Sequence, residues 1–347
     1  MKDFRLSFLL TVICLAIAAW WGNTSGLGAQ SALFIVAILG LMEVSLSFDN
    51  AVVNASILKN MDAKWQQIFL TLGILVAVIG MRLLFPIVIV AVATELSMTT
   101  VWNMALNKPD EYSSHLLTHH VAIGAFGGIF LLLIFFSFLF DDDKKIHWLG
   151  RIEEKLNQLG KMDSISIMLA LILLFAFYQW LPFEPGTRSS FLIAGISGII
   201  LFIAVSSLDE LFASEETDEG IATTVTRSGI GGFLYLEVLD ASFSFDGVIG
   251  AFAITRDIVI ITLGLAIGAM FVRSLTISLV RKGTLDEYVF LEHGAHYAIG
   301  ALALIMLAGT VQGVHIPELI TGLIGAGFIL ISLLSSIVYK RKIGSVG

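Results

Sequence analysis

The strongest constraint on this chain is the recurrence of apolar runs of about 20 residues, each long enough to cross a bilayer as one helix. They read at roughly 6–21, 30–58, 66–93, 116–140, 164–181, 190–208, 230–255, 258–280, 295–314 and 319–339. An all-α polytopic membrane protein with ten spans in a single transmembrane domain, 1–347, is therefore expected. Hydrophobic residues make up 57% of the 347 and charged residues 14%. A soluble domain carries about 45–50% and about 25%, so lipid must hide the surplus. Runs 30–58 and 66–93 are longer than a bilayer needs, which predicts tilt or a break inside each. The longest polar connections, 94–115, 141–163 and 209–228, leave no room for a soluble domain.

With the N-terminus inside, fifteen of the twenty Lys and Arg fall in inner segments, three fall outside, and Arg82 and Arg273 lie within helices. That bias sets the expected orientation, with both termini cytoplasmic in an inner (plasma) membrane of bacterial type. Residues 1–21 have basic Lys2 and Arg5 before an apolar stretch, as a signal peptide does. The run ends on Trp20-Trp21, which suits an interfacial belt, and it is read as a retained first helix. In the 141–163 segment, Ile146, Leu149, Ile152, Leu156 and Leu159 recur at helical spacing, which predicts a short helix lying on the inner surface. The acidic stretch Glu215, Glu216, Asp218, Glu219 reads as a solvated turn, with a cation-gathering vestibule as the rarer alternative.

A net charge of −8 excludes a nucleic-acid partner. A single cysteine, Cys14, excludes an intrachain disulfide, a redox pair, a thiolate zinc site and an iron–sulfur cluster.

Three pieces of the first half recur in order in the second. Glu43-Val-Ser-Leu-Ser-Phe-Asp49-Asn50 matches Asp240-Ala-Ser-Phe-Ser-Phe-Asp246-Gly247. Thr71-Leu-Gly followed by Arg82 matches Thr262-Leu-Gly followed by Arg273, and His120-Val-Ala-Ile-Gly-Ala matches His296-Tyr-Ala-Ile-Gly-Ala. The copies define repeat A, 30–140 on helices 2–4, and repeat B, 230–314 on helices 7–9. Five helices separate equivalent positions, so repeat B is expected to be inverted, an arrangement typical of secondary transporters with a midplane site on broken helices.

Five carboxylates fall inside apolar runs: Glu43, Asp49, Glu237, Asp240 and Asp246. An ionised acid at a helix centre costs about 2.5–3.5 kcal/mol on insertion scales, so these must face a cation, an arginine, water or one another. Glu43 and Asp49 are six residues apart, about 240° around a continuous helix. Unwinding at Ser-Phe-Asp-Asn and Ser-Phe-Asp-Gly would gather them. Glu43, Asp49, Asn50, Asp240 and Asp246 are the expected metal ligands. Ser45, Ser47, Asn54, Glu237, Ser242 and Ser244 stand as supporting groups. Carboxylates, amides and hydroxyls without thiolate form a hard oxygen set suited to Mn²⁺, Mg²⁺ or Ca²⁺. The alternative is that the acids only neutralise Arg82 and Arg273. Those two arginines read equally as gate counter-charges or as side chains snorkelling to the nearer interface. His120 and His296 are candidate further ligands, though interfacial histidines are more often hydrated or packed. Gly124-x-x-x-Gly128 and Gly264-x-x-x-Gly268 are read as packing seams.

Through residues 43–50 and the echo ending in Asp246-Gly247, over roughly 30–340, the chain resembles the TerC family of integral membrane proteins. The likeness is strongest to a longer branch within the LysE-type exporter superfamily. The resemblance implies an inverted-repeat fold, for several members export of manganese or another divalent cation, and a site at Glu43, Asp49, Asn50, Asp240 and Asp246. Gly247 departs from the pattern where the first copy has Asn50. The leading expectation is a secondary transporter for efflux of a divalent cation, Mn²⁺ before others. The cation is the substrate, with no covalent cofactor, the bilayer as surroundings and self-association left open. A non-transporting membrane scaffold in a stress response is the alternative. An amino-acid exporter and an enzyme are less favoured, for want of a carboxylate-binding feature and of any nucleophile–base pair.

Overall fold

A computed structural model describes residues 4–142, 144–162, 164–184, 186–213 and 229–344. The acidic stretch at Glu215, Glu216, Asp218 and Glu219 lies outside the described residues, as does the side chain of Asp246.

Among the described residues the chain is helical apart from its connections, and no strand occurs. In order the elements are α1 (Arg5–Thr24), α2 (Ala29–Leu46), α3 (Phe48–Leu58), α4 (Ala63–Leu75), a π-helical stretch (Val76–Leu84), α5 (Phe85–Thr94), α6 (Met98–Asn107), α7 (Pro109–Thr118), α8 (His120–Leu139) and α9 (Arg151–Asn157). There follow α10 (Ile165–Trp180), α11 (Thr187–Ala213), α12 (Gly229–Ile254), α13 (Ile258–Arg281), α14 (Thr284–Glu287), α15 (Leu291–Gly309) and α16 (Glu318–Gly344). Among the described residues eight helices are long and apolar enough to cross a membrane, or nine if α9 and α10, bent by 101°, form one broken span. The protein is an all-α polytopic membrane protein. Each of the ten expected runs is occupied by helix. The lower count arises because α10 has only 16 residues and α12 carries carboxylates on its apolar length.

Both overlong runs are interrupted. At Ser47 the backbone leaves helical geometry, with φ −105° and ψ 19°, and α2 gives way to α3. Two serines flank the break: Ser45 Oγ donates back to the Leu41 carbonyl, and Ser47 Oγ donates to Glu43. Such local bonds compete with the helical ladder. The 66–93 run holds its irregularity as nine π-helical residues, which place Arg82 in their last turn. The matching break expected in the second copy is absent, since α12 runs without interruption through 229–254. The 94–115 connection contains two helices, α6 and α7.

Apolar burial divides into a small cluster of Leu139, Phe140 and Ile165 and two large ones. One joins α3, α8, α11, α12 and α15 around Val52, Phe130, Leu236 and Ile299. The other joins α1, α2, α5 to α7 and α13 around Val36, Val90, Tyr112 and Leu265. The Ser47 break is where the chain passes from the second cluster to the first. Small residues permit the closest approaches. A Cβ on Gly264 would lie 2.5 Å from Leu39 Cβ, and one on Gly128 would lie 2.9 Å from Leu307 Cγ, as the packing-seam reading requires.

The 141–163 segment forms a strap carrying α9 and one 3₁₀ turn. Its apolar Ile146, Leu149, Ile152 and Leu159 are exposed, while Glu153 and Asn157 turn inward. The expected helix is shorter than its apolar spacing suggests, since Ile146 and Leu149 precede α9.

Candidate functional site

Glu43 ends the last turn but one of α2 with 1% exposure. Two glycines make room for it. A Cβ on Gly268 of α13 would sit 2.3 Å from Glu43 Cβ, and one on Gly247 of α12 would sit 2.7 Å from its Oε2. Gly247 thus stands where an Asn side chain would collide with the carboxylate, which accounts for its departure from the first copy. Arg82 Nη2 lies 2.5 Å from Glu43 Oε1, and Arg82 Nη1 donates to the Ala77 carbonyl at 2.6 Å.

A second ion-paired group lies between α12 and α13. Arg273 Nη2 is 3.2 Å from Glu237 Oε1 and 3.5 Å from Asp240 Oδ2, while its Nη1 donates to the Phe69 carbonyl at 2.7 Å. The guanidinium also covers the Phe69 ring at 4.1 Å. Here too a glycine is obligatory, for a Cβ on Gly73 would lie 2.4 Å from Glu237 Oε1. Both arginine side chains are 3% exposed. They are interior counter-charges and do not snorkel.

Asp49 is different. It lies in the first turn of α3, buried at 5%, and among the described residues it makes no ion pair. The N-terminal amides of α3 give it partial compensation, since helix N-termini carry positive partial charge. Its carboxylate shares an interior cavity of about 20 Å³ with Glu43, Ser47, Asn50, Gly247 and Thr321. A cavity that size accommodates a water or one small ion. Asn50 Oδ1 is buried without a hydrogen-bond partner, as are both amide atoms of Asn54. An orphaned buried polar atom costs about 1–3 kcal/mol. Gly325 of α16 closes one wall, its Cβ position 3.3 Å from Asp49 Oδ2.

The structure therefore brings together Glu43, Ser47, Asp49 and Asn50 of the expected set, because the Ser47 break realigns residues that a straight helix would separate. Asp240 and Glu237 face Arg273 instead of this cavity. Ser45 is outside the site, bonded to Leu41. Ser242 donates to the Val238 carbonyl, and Ser244 is buried on the same helix, α12. His296 stacks on Phe138 at 4.0 Å, and His120 lines a separate, larger cavity. Neither histidine lines the cavity at Asp49. Among the described residues no group of three or more His, Cys, Asp or Glu is placed to hold a metal. The donors here are two carboxylates filled out by amide and hydroxyl oxygens. The α16 residues Thr321 and Gly325 were not anticipated. Their only sequence signal is the recurrence of small residues at Thr321, Gly322, Gly325, Ala326 and Gly327 in an otherwise apolar helix.

A third buried ionic group fastens the strap. Glu153 is fully buried, with Lys144 Nζ 2.6 Å from its Oε1 and His293 Nε2 at 3.5 Å. Burial alone would raise the Glu153 pKa, but the hydrogen bonds from Lys144 and the Leu149 N–H, with the Lys144 charge, hold it below the usual carboxylate value. His293 Nε2 also meets the Ile146 carbonyl at 2.8 Å, tying strap to α15.

A family model described as a protein of unknown function (DUF475) matches residues 48–343. No curated protein and no solved structure matches the chain.

Proposed function

We propose, on the premise that the chain belongs to the DUF475 family, that it is a secondary transporter for a divalent cation, with Asp49 as the principal ligand. The observation that carries this reading is the small interior cavity where the Asp49 carboxylate and the orphaned Asn50 amide oxygen face one another without a counter-charge for Asp49. A structural acid would be matched, as Glu43 is by Arg82 and Asp240 by Arg273. Glu43 is the acceptor that Arg82 releases in part when the ion arrives, and Ser47 and Asn50 complete the oxygen shell. The hardness of that set favours Mn²⁺, Mg²⁺ or Ca²⁺ over softer ions.

Three further features support the reading. The resemblance to the TerC family at residues 43–50 points to manganese and to export. Arg82 meets Glu43 and Arg273 meets Asp240 as well as Glu237, at positions that match in the two sequence copies, which fits an inverted repeat about a central site. The lysine and arginine bias supports cytoplasmic termini.

The test is flux of Mn²⁺, Mg²⁺, Ca²⁺ and Zn²⁺ into proteoliposomes holding the purified protein, with Asp49→Asn beside the parent. Saturable flux that Asp49→Asn reduces at least tenfold upholds the assignment. Equal flux in the two proteins refutes Asp49 as ligand, and absence of flux for every ion, with and without a pH gradient, transfers the reading to a membrane scaffold.

A further inference from the structure

Two larger cavities lie at one end of the helix bundle. One, of about 360 Å³, is lined by His120, Met306, His315 and Thr321 among others. The second, of about 260 Å³, shares His120, Gly309, Val314 and His315 with it. Thr321 lines both the 360 Å³ cavity and the small cavity at Asp49.

The lining residues advance in the same direction on three helices. From the small cavity to the large one they step from Gly247 to Ile249 on α12 and from Leu302 to Ile305 on α15, and on antiparallel α16 from Gly325 back to Thr321. Each step is about one helical turn or less. The two spaces are therefore adjacent, with Thr321 on the wall they share.

In the opposite direction, among the described residues, α15 and α16 close on one another. One to two turns below Ala298 on α15, a Cβ on Gly294 would lie 2.3 Å from Ser332 Oγ and 2.8 Å from the Phe328 carbonyl of α16, so these helices meet backbone to backbone. Ser332 is 0% exposed, and Ser336 Oγ accepts the Phe290 N–H. Between Ala298 and this contact His296 stacks on Phe138, and just beyond it the strap is bound to His293.

We infer that the Asp49 cavity communicates with one end of the bundle only, the end bearing His120 and His315, and that Thr321 is the constriction through which a cation reaches it. The inference rests on the reading of that cavity as a cation site. The route carries two imidazoles, His120 and His315, in an otherwise largely apolar lining and narrows at Thr321. Movement of α16 against α15 at Thr321 and Gly294 would exchange the open end for the closed one.

The experiment uses the full chain with its single cysteine removed (Cys14→Ser), carrying His315→Cys, Thr321→Cys or Ser332→Cys. Vesicles of defined sidedness are exposed to Ag⁺ in chloride-free buffer, a thiol-reactive cation small enough for a water-sized space. Thiols left unreacted are then counted with a maleimide after denaturation. The expected result is protection of His315→Cys and Thr321→Cys from maleimide by Ag⁺ added on one and the same side, with Ser332→Cys unaffected from either. Reaction of Thr321→Cys from the other side or from neither, or reaction of Ser332→Cys, overturns the route. Leu302→Cys, on the wall of the small cavity, replaces Thr321→Cys if that variant does not purify as a folded species. Mn²⁺ added beforehand should slow Ag⁺ at Thr321→Cys at least threefold. A route that labels as expected but ignores every divalent ion refutes the cation site and leaves the access path standing.

Discussion

Glu43 and Asp49 show how far two acids on one sequence motif can differ. Glu43 is held by Arg82, so removal of the arginine strands a buried charge. Arg82→Met is expected to lower stability by about 3–5 kcal/mol, and Glu43→Gln with Arg82→Met by clearly less, because the double change leaves no orphan charge. Denaturant unfolding in detergent, followed by tryptophan fluorescence, reads both. Asp49 has no such partner, so Asp49→Asn is expected to leave stability within about 1 kcal/mol of the parent or to raise it, while flux is lost. Gly247→Ala drives a methyl group against Glu43 Oε2. Overpacking of this kind costs about 1–3 kcal/mol, and the same unfolding assay applies. The acids and the arginines were legible in the sequence as residues that do not belong in lipid. Their pairing was not, because Arg82 stands 39 residues from Glu43 and Arg273 stands 36 from Glu237.

At the scale of elements, breaks and straps do the positioning. The Ser47 break turns a motif spaced for opposite helix faces into one cavity, whereas α12 keeps its continuous helix and presents Gly247 to Glu43. The sequence announced excess length in both overlong runs but not which residue would leave the ladder, since the choice depends on hydrogen bonds formed only after folding. The strap is a separate element with its own pH dependence. Folded Glu153 titrates below its unfolded value of about 4.3, so its contribution is full above that value and is lost as pH falls through the lower, folded one. Limited proteolysis within 141–163 is expected to be slow at neutral pH and to accelerate at strongly acidic pH, with a protease active there. Glu153→Gln should give the fast rate at neutral pH. An unchanged rate in Glu153→Gln would remove the buried ion pair as the fastening.

The whole molecule is a bundle whose two large apolar clusters meet at the candidate site. A ligand that binds the folded state alone stabilises it by mass action, about 2.7 kcal/mol at a hundred times its Kd. Mn²⁺ at that excess is expected to raise the Tm of the parent by a few degrees in detergent and to leave Asp49→Asn unmoved. Equal shifts in both proteins would place the ion elsewhere, at an exposed acidic surface.

Apolar run length and the lysine and arginine pattern, both local properties, determined the all-helical membrane class and the expected orientation before any packing was known. The motifs around Asp49 and Asp246 likewise marked where polar groups enter the bilayer, because the cost of a charge in hydrocarbon does not depend on its neighbours in space. Tertiary structure alone decided, among the described residues, that Glu43, Glu237 and Asp240 meet an arginine and Asp49 does not, and that Thr321 and Gly325 of the last helix complete the cavity. Those outcomes turn on ångström-scale approaches between helices hundreds of residues apart, such as Gly268 on Glu43 and Gly325 on Asp49. Periodicity within one segment carries no information about such distances.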